Sequence, residues 1–150
     1  MTVIAWDGKS VAADSLATFG GYRSPLWAQK ITRRDDFVYG ITGFFGWFDA
    51  WIEWHRAGAD PQRIPAASVP MDRCGNFLIF TRDSAFCCSA QMPYLQRTGA
   101  PDAWGDGCEY AIGAMLAGAS AQRAAEVAIS SSSSCDGPVC AIDLSDLDQI

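Results

Sequence analysis

The sequence has 150 residues, a formal net charge of −6 and hydrophobic residues at 49% of its positions. This length and composition predict one globular domain, residues 1–150, with a sizeable core. The negative charge argues against a nucleic-acid partner, because proteins that bind nucleic acid carry basic faces. No apolar run reaches the roughly 20 residues of a membrane span, and the amino end lacks the pattern of a signal peptide, so we expect a cytoplasmic protein without membrane contact.

The cysteine and histidine content limits the chemistry available to the chain. No two of the six cysteines have the C-x-x-C spacing of a zinc or redox site, so we interpret them as reduced, mostly buried thiols. His55 is the single histidine, and it lies in an aromatic helix pattern. A partly exposed helix residue is therefore a better interpretation of His55 than a metal ligand or a general base. The cysteines are Cys74, Cys87, Cys88, Cys108, Cys135 and Cys140.

The amino-terminal third of the chain predicts strands. Residues 2–14 alternate around Asp7-Gly8 and predict a hairpin, because Asp-Gly is a strong signal for a tight turn. Residues 15–27 are rich in small and turn-forming types and predict a loop. The segments QKITRR (29–34) and FVYGIT (37–42) predict two strands joined by Asp35-Asp36.

The middle of the chain predicts a helix at FFGWFDAWIEWHR (44–56) and then a loop at 57–73. The helix carries a wide aromatic stripe at helical spacing, which is typical of core packing. The same stripe could also bury surface against a neighbouring subunit. A cofactor site is a weaker interpretation of this pattern.

The second half of the chain predicts another hairpin, two helices and a last strand. NFLIFT (76–81) and SAFCCSAQ (84–91) flank a turn at Arg82-Asp83, and residues 93–106 predict a loop. Helices are predicted at 108–118 and, with Ser120 as its N-cap, at 121–129. The serines at 130–134 predict a flexible connector to PVCAIDL (138–144), and the acidic tail at 145–150 is expected to be loose. Antiparallel hairpins interrupted by helices predict a layered α+β fold.

The amino end carries the first candidate reactive group. Removal of Met1 would give Thr2 a free α-amine beside its hydroxyl, and such an amine can act as the general base for the hydroxyl. An unperturbed α-amine has a pKa of roughly 8, so part of it is neutral at cytoplasmic pH, and a nearby cation would increase that part. A strand that begins at Thr2 would hold this group on rigid structure.

The second candidate is a pair of opposite charges. The chain has two lysines, and Lys30 falls within an apolar strand region, while Lys9 lies beside the hairpin turn. Asp14 ends the second predicted strand, where a buried strand would prefer an apolar residue. A buried carboxylate needs a cationic partner, so Asp14 and Lys30 form an economical pair. Alternatively, the two residues are separate surface groups at a strand end and an edge strand.

These residues resemble the N-terminal-nucleophile (Ntn) hydrolases, in particular proteasome β subunits and the HslV-type bacterial peptidase. The similarity begins with Thr2 and its strand, continues with AADSLAT (12–18), and includes Lys30-Ile31 at the family's interval from Asp14. It implies an α+β fold built as a four-layer αββα sandwich of two antiparallel sheets. Later segments that agree are GITGFFGWFDA (40–50), GDGCEYAIGAML (105–116) and DGPVCAIDL (136–144).

The resemblance also implies roles for particular residues. Thr2 would be the nucleophile with its own amine as base, Lys30 would tune that amine, and Asp14 would keep Lys30 charged and oriented. The backbone N–H of Gly43 would donate to the oxyanion during amide hydrolysis through an acyl ester on Thr2, without a metal or organic cofactor. The implied substrate-binding residues are Ile31, Arg33, Gly40 and Thr42, with Arg33 favouring acidic side chains.

Asp106 is the main departure from the family pattern, which has a serine between the two glycines. A carboxylate beside the nucleophile would raise the pKa of the threonine amine. It could instead pair with Lys30 or replace the serine as a hydrogen-bonding group. We therefore include Asp106 among the candidate catalytic residues.

The resemblance implies partners as well. A subunit of this family forms a homo-oligomeric ring that encloses its active sites, cleaves peptides or unfolded proteins, and can be fed by an ATP-dependent unfoldase. Two alternatives stay open at the level of sequence. One is a catalytically inactive assembly protein with the same fold, and the other is an Ntn amidohydrolase that acts on a small amide.

Overall fold

The computed structural model describes residues 2–65, 75–89 and 95–148. Residues 66–73 of the predicted loop and 90–91 of the predicted hairpin lie outside this part of the chain. Three α-helices occur in the described residues, and none has the length and apolar character needed to cross a membrane. The elements are β1 (Ile4–Trp6), β2 (Ser10–Ala13), β3 (Thr18–Phe19), β4 (Tyr22–Arg23), β5 (Ile31–Arg34), β6 (Phe37–Ile41), α1 (Phe48–Arg56), β7 (Asn76–Phe80), β8 (Ala85–Ser89), β9 (Gln96–Thr98), β10 (Asp102–Trp104), α2 (Cys108–Leu116), α3 (Ala121–Ser131) and β11 (Cys140–Asp143).

The first sheet has the strand order β10-β1-β2-β11, and all of its pairs are antiparallel. The predicted amino-terminal hairpin is confirmed, with Ile4 opposite Ala13. Its turn is closed by Asp7, whose Oδ1 accepts backbone N–H bonds from Lys9 at 2.9 Å and Ser10 at 2.8 Å. The hairpin thus holds the amino end of the chain in the middle of a sheet.

The second sheet has the order β5-β6-β7-β8-β9 and is also antiparallel. The two predicted strand pairs at 29–42 and 76–89 are confirmed within the described residues. Apolar side chains from both sheets pack together in one core cluster between the sheets. This cluster includes Ile4, Trp6, Val11, Ile31, Val38, Leu78 and Phe80.

Helices cover the outer faces of both sheets. On the first sheet, α3 lies close to β1 and β2 because its inward positions are alanines, which let backbone approach backbone. On the second sheet, Trp51, Ile52 and Trp54 of α1 pack on the outer side chains of β6 and β7. The predicted core role of the aromatic stripe is confirmed for these three residues, whereas Phe44 is 47% exposed and the predicted helix at 44–56 is α-helical only from Phe48. The result is a mixed α/β fold with antiparallel sheets.

His55 is a packing residue in this structure. Its Nδ1 lies 3.0 Å from the hydroxyl of Tyr39, and its ring meets the ring of Phe37 edge-on with centroids 5.0 Å apart. Burial lowers the pKa of His55, so the neutral imidazole is favoured. The interpretation of His55 as a partly exposed helix residue agrees with its half-buried position.

Four segments differ from the sequence predictions. The predicted loop at 15–27 contains the short hairpin β3–β4, and the predicted loop at 93–106 contains β9 and β10. Strands of two or three residues are too short to show an alternating pattern, and β10 is a strand because it pairs with the distant β1. Two serines of the predicted connector belong to α3. The predicted loose tail is wrong for its first residues, because Leu147 is 2% exposed and packs in the core between the sheets.

Candidate active site

Thr2 is 1% exposed and lies two residues before β1, which begins at Ile4 and not at Thr2 as the sequence predicts. Its carbonyl accepts a hydrogen bond from the backbone N–H of Gly107 at 3.2 Å, which ties the amino end to the start of α2. Its hydroxyl oxygen is one of two buried side-chain polar atoms that lack a hydrogen-bond partner in the described ranges. A buried hydroxyl without a partner costs folding free energy, and it is free of hydrogen bonds that would compete with a reaction at this oxygen.

Asp14 and Lys30 form a buried ion pair. The Nζ of Lys30 lies 2.7 Å from Oδ1 of Asp14, and neither side chain is exposed. The same Oδ1 accepts the backbone N–H of Val3 at 2.9 Å, so the carboxylate joins the lysine to the residue that follows Thr2. The structure thus agrees with the pairing inferred from the sequence and excludes the alternative of two surface groups.

The second oxygen of Asp14 is also occupied. Oδ2 accepts backbone N–H bonds from Leu16 at 3.3 Å and from Asp136 at 3.2 Å. Three backbone donors and one ammonium therefore fix the orientation of this carboxylate. Such complete hydrogen bonding is what makes an ionised carboxylate tolerable in a buried position.

The charge state of Lys30 reflects a balance of two effects. Burial lowers the pKa of Lys30, and the negative charge of Asp14 is the largest effect that opposes it. Asp106 opposes the lowering too, by a smaller electrostatic interaction. The structure thus brings four of the predicted catalytic residues into one region: Thr2, Asp14, Lys30 and Asp106.

The two glycines around Asp106 allow a close approach of Thr2 and α2. Gly105 has a φ of +96°, and a Cβ atom there would lie 2.3 Å from the carbonyl oxygen of Thr2. A Cβ atom on Gly107 would lie 2.6 Å from Sγ of Cys135. Asp106 itself is exposed, whereas the glycines on either side of it lie against Thr2 and Cys135.

Replacement of Gly105 by alanine is expected to displace Thr2. The new methyl group would overlap a backbone carbonyl that has no freedom to rotate away, and the left-handed φ would add strain. We expect a loss of thermal stability together with a loss of any activity at Thr2. The matched control is Gly113→Ala in α2, where a Cβ would meet no atom of the described residues within 4 Å. This control should be neutral or stabilising, by about 0.5–1 kcal/mol, because alanine is the better helix former. Equal melting temperatures for the two variants would contradict the expectation.

Sequence reasoning left Cys135 and Asp136 out of the candidate site. Cys135 is 2% exposed, and burial raises the pKa of its thiol to about 11, so it is a neutral neighbour of Lys30 rather than a nucleophile. Asp136 donates its backbone N–H to Asp14. In the sequence, only the Asp136-Gly137 pair marks this segment, as a turn signal. The contacts of Cys135 and Asp136 with the site are with residues far away along the chain.

Gly43 follows β6 with a φ of +87°, which glycine adopts without strain. Thr42 before it is anchored twice to Asn76: the Thr42 N–H donates to the carbonyl of Asn76 at 2.9 Å, and the Asn76 N–H donates to Oγ1 of Thr42 at 2.8 Å. These bonds hold the turn that carries Gly43, whose contribution to an oxyanion site stays a prediction.

The four predicted substrate-binding residues do not form one surface. Ile31, Gly40 and Thr42 are buried, so a substrate contact at these positions would have to use backbone atoms. Arg33 is exposed beside the turn after β5, and its guanidinium donates to the carbonyl of Asp146 at 3.3 Å. The preference for acidic side chains that was inferred from Arg33 stays a prediction.

No model of a known protein family matches the sequence, and no curated protein sequence matches it. Solved structures do match, over nearly the whole chain. The structure of HslV from Trypanosoma brucei is 16% identical with a TM-score of 0.71, and the match covers 95% of this chain and 98% of that chain. These data and the sheet topology define the fold class, which is that of HslV and proteasome-type proteins.

Two further structures are of the protein BPH from Thiobacillus denitrificans. The one in complex with epoxomicin is 22% identical with a TM-score of 0.69, and the match covers 99% of this chain and 100% of that chain. The other is 24% identical with a TM-score of 0.66, covering 97% and 100%. At these identities the similarity shows the fold alone.

Proposed function

We propose that this protein is a threonine-type peptidase whose nucleophile is Thr2 after removal of Met1. The observation that carries the proposal is that the buried Thr2 hydroxyl has no hydrogen-bond partner within the described part of the chain. The next residue, Val3, donates its backbone N–H to Asp14, which forms the buried ion pair with Lys30. A nucleophile needs an oxygen free of competing hydrogen bonds, a nearby base and a fixed charge. The Thr2 hydroxyl and the Asp14–Lys30 pair support the first and the third, and removal of Met1 would supply the base. The similarity in fold to HslV supports the same conclusion.

The proposed reaction begins with the free amine of Thr2 taking the proton of its own hydroxyl. The oxygen attacks the amide carbonyl carbon, and the backbone N–H of Gly43 donates to the oxygen that becomes negative. The C–N bond then breaks, the departing amine takes the proton, and the acyl group stays on Thr2 as an ester. The α-amine of Thr2 then takes a proton from a water molecule, and the resulting hydroxide attacks the ester. The acid is released, and the proton returns to the Thr2 oxygen to restore the hydroxyl.

Lys30 and Asp14 serve this sequence without forming a covalent bond. A cation near the α-amine lowers the amine's pKa and so increases its neutral fraction. Asp14 holds Lys30 in place and favours its charged form. None of these steps requires a metal ion or an organic cofactor.

We propose a single Ntn hydrolase domain over residues 1–150, arranged as a four-layer αββα sandwich. Three core clusters support the layering: one between α2, α3 and the first sheet, one between the sheets, and one between the second sheet and α1. The similarity of nearly the full chain to HslV and BPH supports the single domain.

We further propose a homo-oligomeric, cytoplasmic ring that encloses the sites, with peptides or unfolded proteins as substrates and an ATP-dependent unfoldase as a possible partner. Most apolar side chains of α1 serve the chain's own core. Exposed apolar side chains instead cluster on and after the β3–β4 hairpin, at 56–88% exposure, and large exposed apolar patches favour subunit contacts. They are Phe19, Tyr22, Leu26 and Trp27.

A catalytically inactive assembly protein is the second candidate, and Asp106 is the observation that favours it. Its carboxylate is close enough to interact with the ammonium of Lys30. By the same electrostatics, a carboxylate in this region raises the pKa of the Thr2 amine and keeps more of it protonated, which makes it a poorer base.

Two measurements on the purified protein test the proposal. The intact mass reports whether Met1 has been removed. Incubation with epoxomicin, the compound present in one of the BPH structures, followed by peptide mass spectrometry, then tests for a covalent adduct. We expect a processed chain that forms a covalent adduct on Thr2 and hydrolyses fluorogenic peptides, whereas the Thr2→Ala variant forms no adduct. A processed chain that neither reacts nor hydrolyses peptides would favour the assembly protein instead.

A further inference from the structure

Asp136 uses all of its polar groups in contacts around the candidate site. Its backbone N–H donates to Oδ2 of Asp14 at 3.2 Å, and its carbonyl accepts the N–H of Ser15 at 3.2 Å. Its carboxylate accepts the N–H of Gly137 at 2.7 Å through Oδ1 and binds the guanidinium of Arg23 through Oδ2. Asp136 therefore connects a surface ion pair to the carboxylate that holds Lys30.

Arg23 fixes the other end of this connection. It lies on β4, and besides Asp136 it donates to the carbonyl of Ser133 at 3.3 Å. The hairpin that carries Arg23 is closed at its base, where the Ser24 N–H donates to the carbonyl of Ala17 at 2.8 Å. Arg23 thus contacts the segment before β11 at two points.

The backbone around Asp136 leaves little alternative space. Gly137 has a φ of +86°, and a Cβ atom there would lie 2.6 Å from ring carbons of Trp27 and 2.7 Å from Oγ of Ser15. The Ser15 hydroxyl donates to the carbonyl of Pro138 at 2.6 Å. The segment at Asp136 and Gly137 therefore packs against Ser15 and Trp27, and Arg23 contacts it on the exposed side.

We propose that Arg23 and Asp136 are positioning residues for the reaction at Thr2: their ion pair holds the Asp136 N–H against Asp14 and thereby fixes Lys30 beside the amino end. This inference rests on the proposed function. The pair is partly exposed, with side-chain exposures of 57% and 40%, so its contribution to global stability is small. Its effect is on the geometry of a buried charge, where small displacements change electrostatic interactions strongly.

The pair should act on turnover rather than on substrate binding. Neither residue needs to touch the substrate, so KM should stay within about twofold while kcat falls roughly 3–10-fold when the pair is broken. Because the pair is exposed, raised salt should weaken it, and kcat of the natural chain should fall as salt increases. A chain without the pair should lose this sensitivity.

The test compares Arg23→Gln, Asp136→Asn, the double variant and Arg23→Lys, with Arg63→Gln as the matched control. Arg63 also forms an exposed ion pair, with Asp60 at 3.6 Å, on the segment after α1. We expect each of the Gln and Asn variants to lower kcat, the double variant to lower it no further, and Arg23→Lys to retain part of it. The proposal would be overturned if both single variants kept the kcat of the natural chain, or if the double variant lost as much kcat as the two single variants combined.

Amide hydrogen exchange followed by mass spectrometry supplies a readout that does not need activity. The peptide that contains Asp136 should exchange several-fold faster in Arg23→Gln than in the natural chain, and Arg63→Gln should leave it unchanged. If the natural chain has no peptidase activity, the proposed function fails, and faster exchange would still support the contact between the pair and Asp14. Unchanged exchange in Arg23→Gln would overturn the positioning role in either case.

Discussion

Replacement of Thr2 by valine is expected to abolish peptide hydrolysis and at the same time to stabilise the fold. Valine keeps the shape of threonine but has no hydroxyl, so the reacting oxygen is lost and turnover should fall roughly a thousandfold or more. The removed oxygen has no hydrogen-bond partner among the residues described, so its removal relieves a desolvation cost of about 1–3 kcal/mol. Hydrolysis of a fluorogenic peptide and the melting temperature measure the two effects.

Two further substitutions at this position make the test specific. Thr2→Ala should also abolish hydrolysis and leave the assembly intact, but without the gain in stability, because it removes buried carbon as well as oxygen. Thr2→Ser keeps the hydroxyl and should retain part of the activity. Turnover by the valine or alanine variant at the natural rate would show that the chemistry lies elsewhere.

Replacement of Lys30 by methionine should be nearly as severe for activity and much more damaging to the fold. The ammonium lies 2.7 Å from a fully buried carboxylate, and its removal leaves that charge without its counter-ion. Breaking a buried pair in this way costs about 3–5 kcal/mol of stability. Lys9→Met is the matched control, because Lys9 is exposed beside the first turn and should tolerate the change. Urea unfolding and peptide turnover of the two variants provide the comparison.

The pH dependence of the natural chain gives a second test of Lys30 that needs no variant. Burial lowers its pKa below the ordinary value of 10.5, so Lys30 loses its proton at a lower pH in the folded chain than in the unfolded chain. Between the two values the unfolded chain binds more protons, and stability should rise with pH across that window. Peptide turnover should fall across the same window, because the proposed site loses the fixed positive charge beside the reacting groups. A fall in peptide turnover that begins only above pH 10.5 would contradict this assignment.

The sequence predicted the elements that carry a strong local pattern. The Asp7-Gly8 hairpin, the strand pair around Asp35-Asp36 and the Ser120 cap of α3 are all present, because each depends on residues close together in the chain. The pairing of Asp14 with Lys30 was also accessible, since two charges in apolar strands have few other ways to be satisfied.

Long-range contacts were beyond sequence reasoning. Nothing near residues 102–104 marks them as a strand, because their partner is β1 at the other end of the chain. For the same reason the link from Arg23 through Asp136 to Asp14 could not be anticipated: it depends on how the segment before β11 returns to β2. The burial of Leu147 likewise depends on a core that only the two assembled sheets create.

The order of strands in the first sheet has a consequence for how the protein matures during synthesis. β1 and β2 are made first, yet their outer neighbours β10 and β11 come from the last third of the chain. Closing such long loops is slow, so we expect the β1–β2 hairpin to lack partners on both edges until β10 and β11 have been synthesised. A nascent chain would then carry Thr2 without the Gly107 contact and without the Asp136 bond to Asp14. Under the proposed function, an unfinished chain would be unable to cut its neighbours, and competence for hydrolysis would arise as one of the last events of folding.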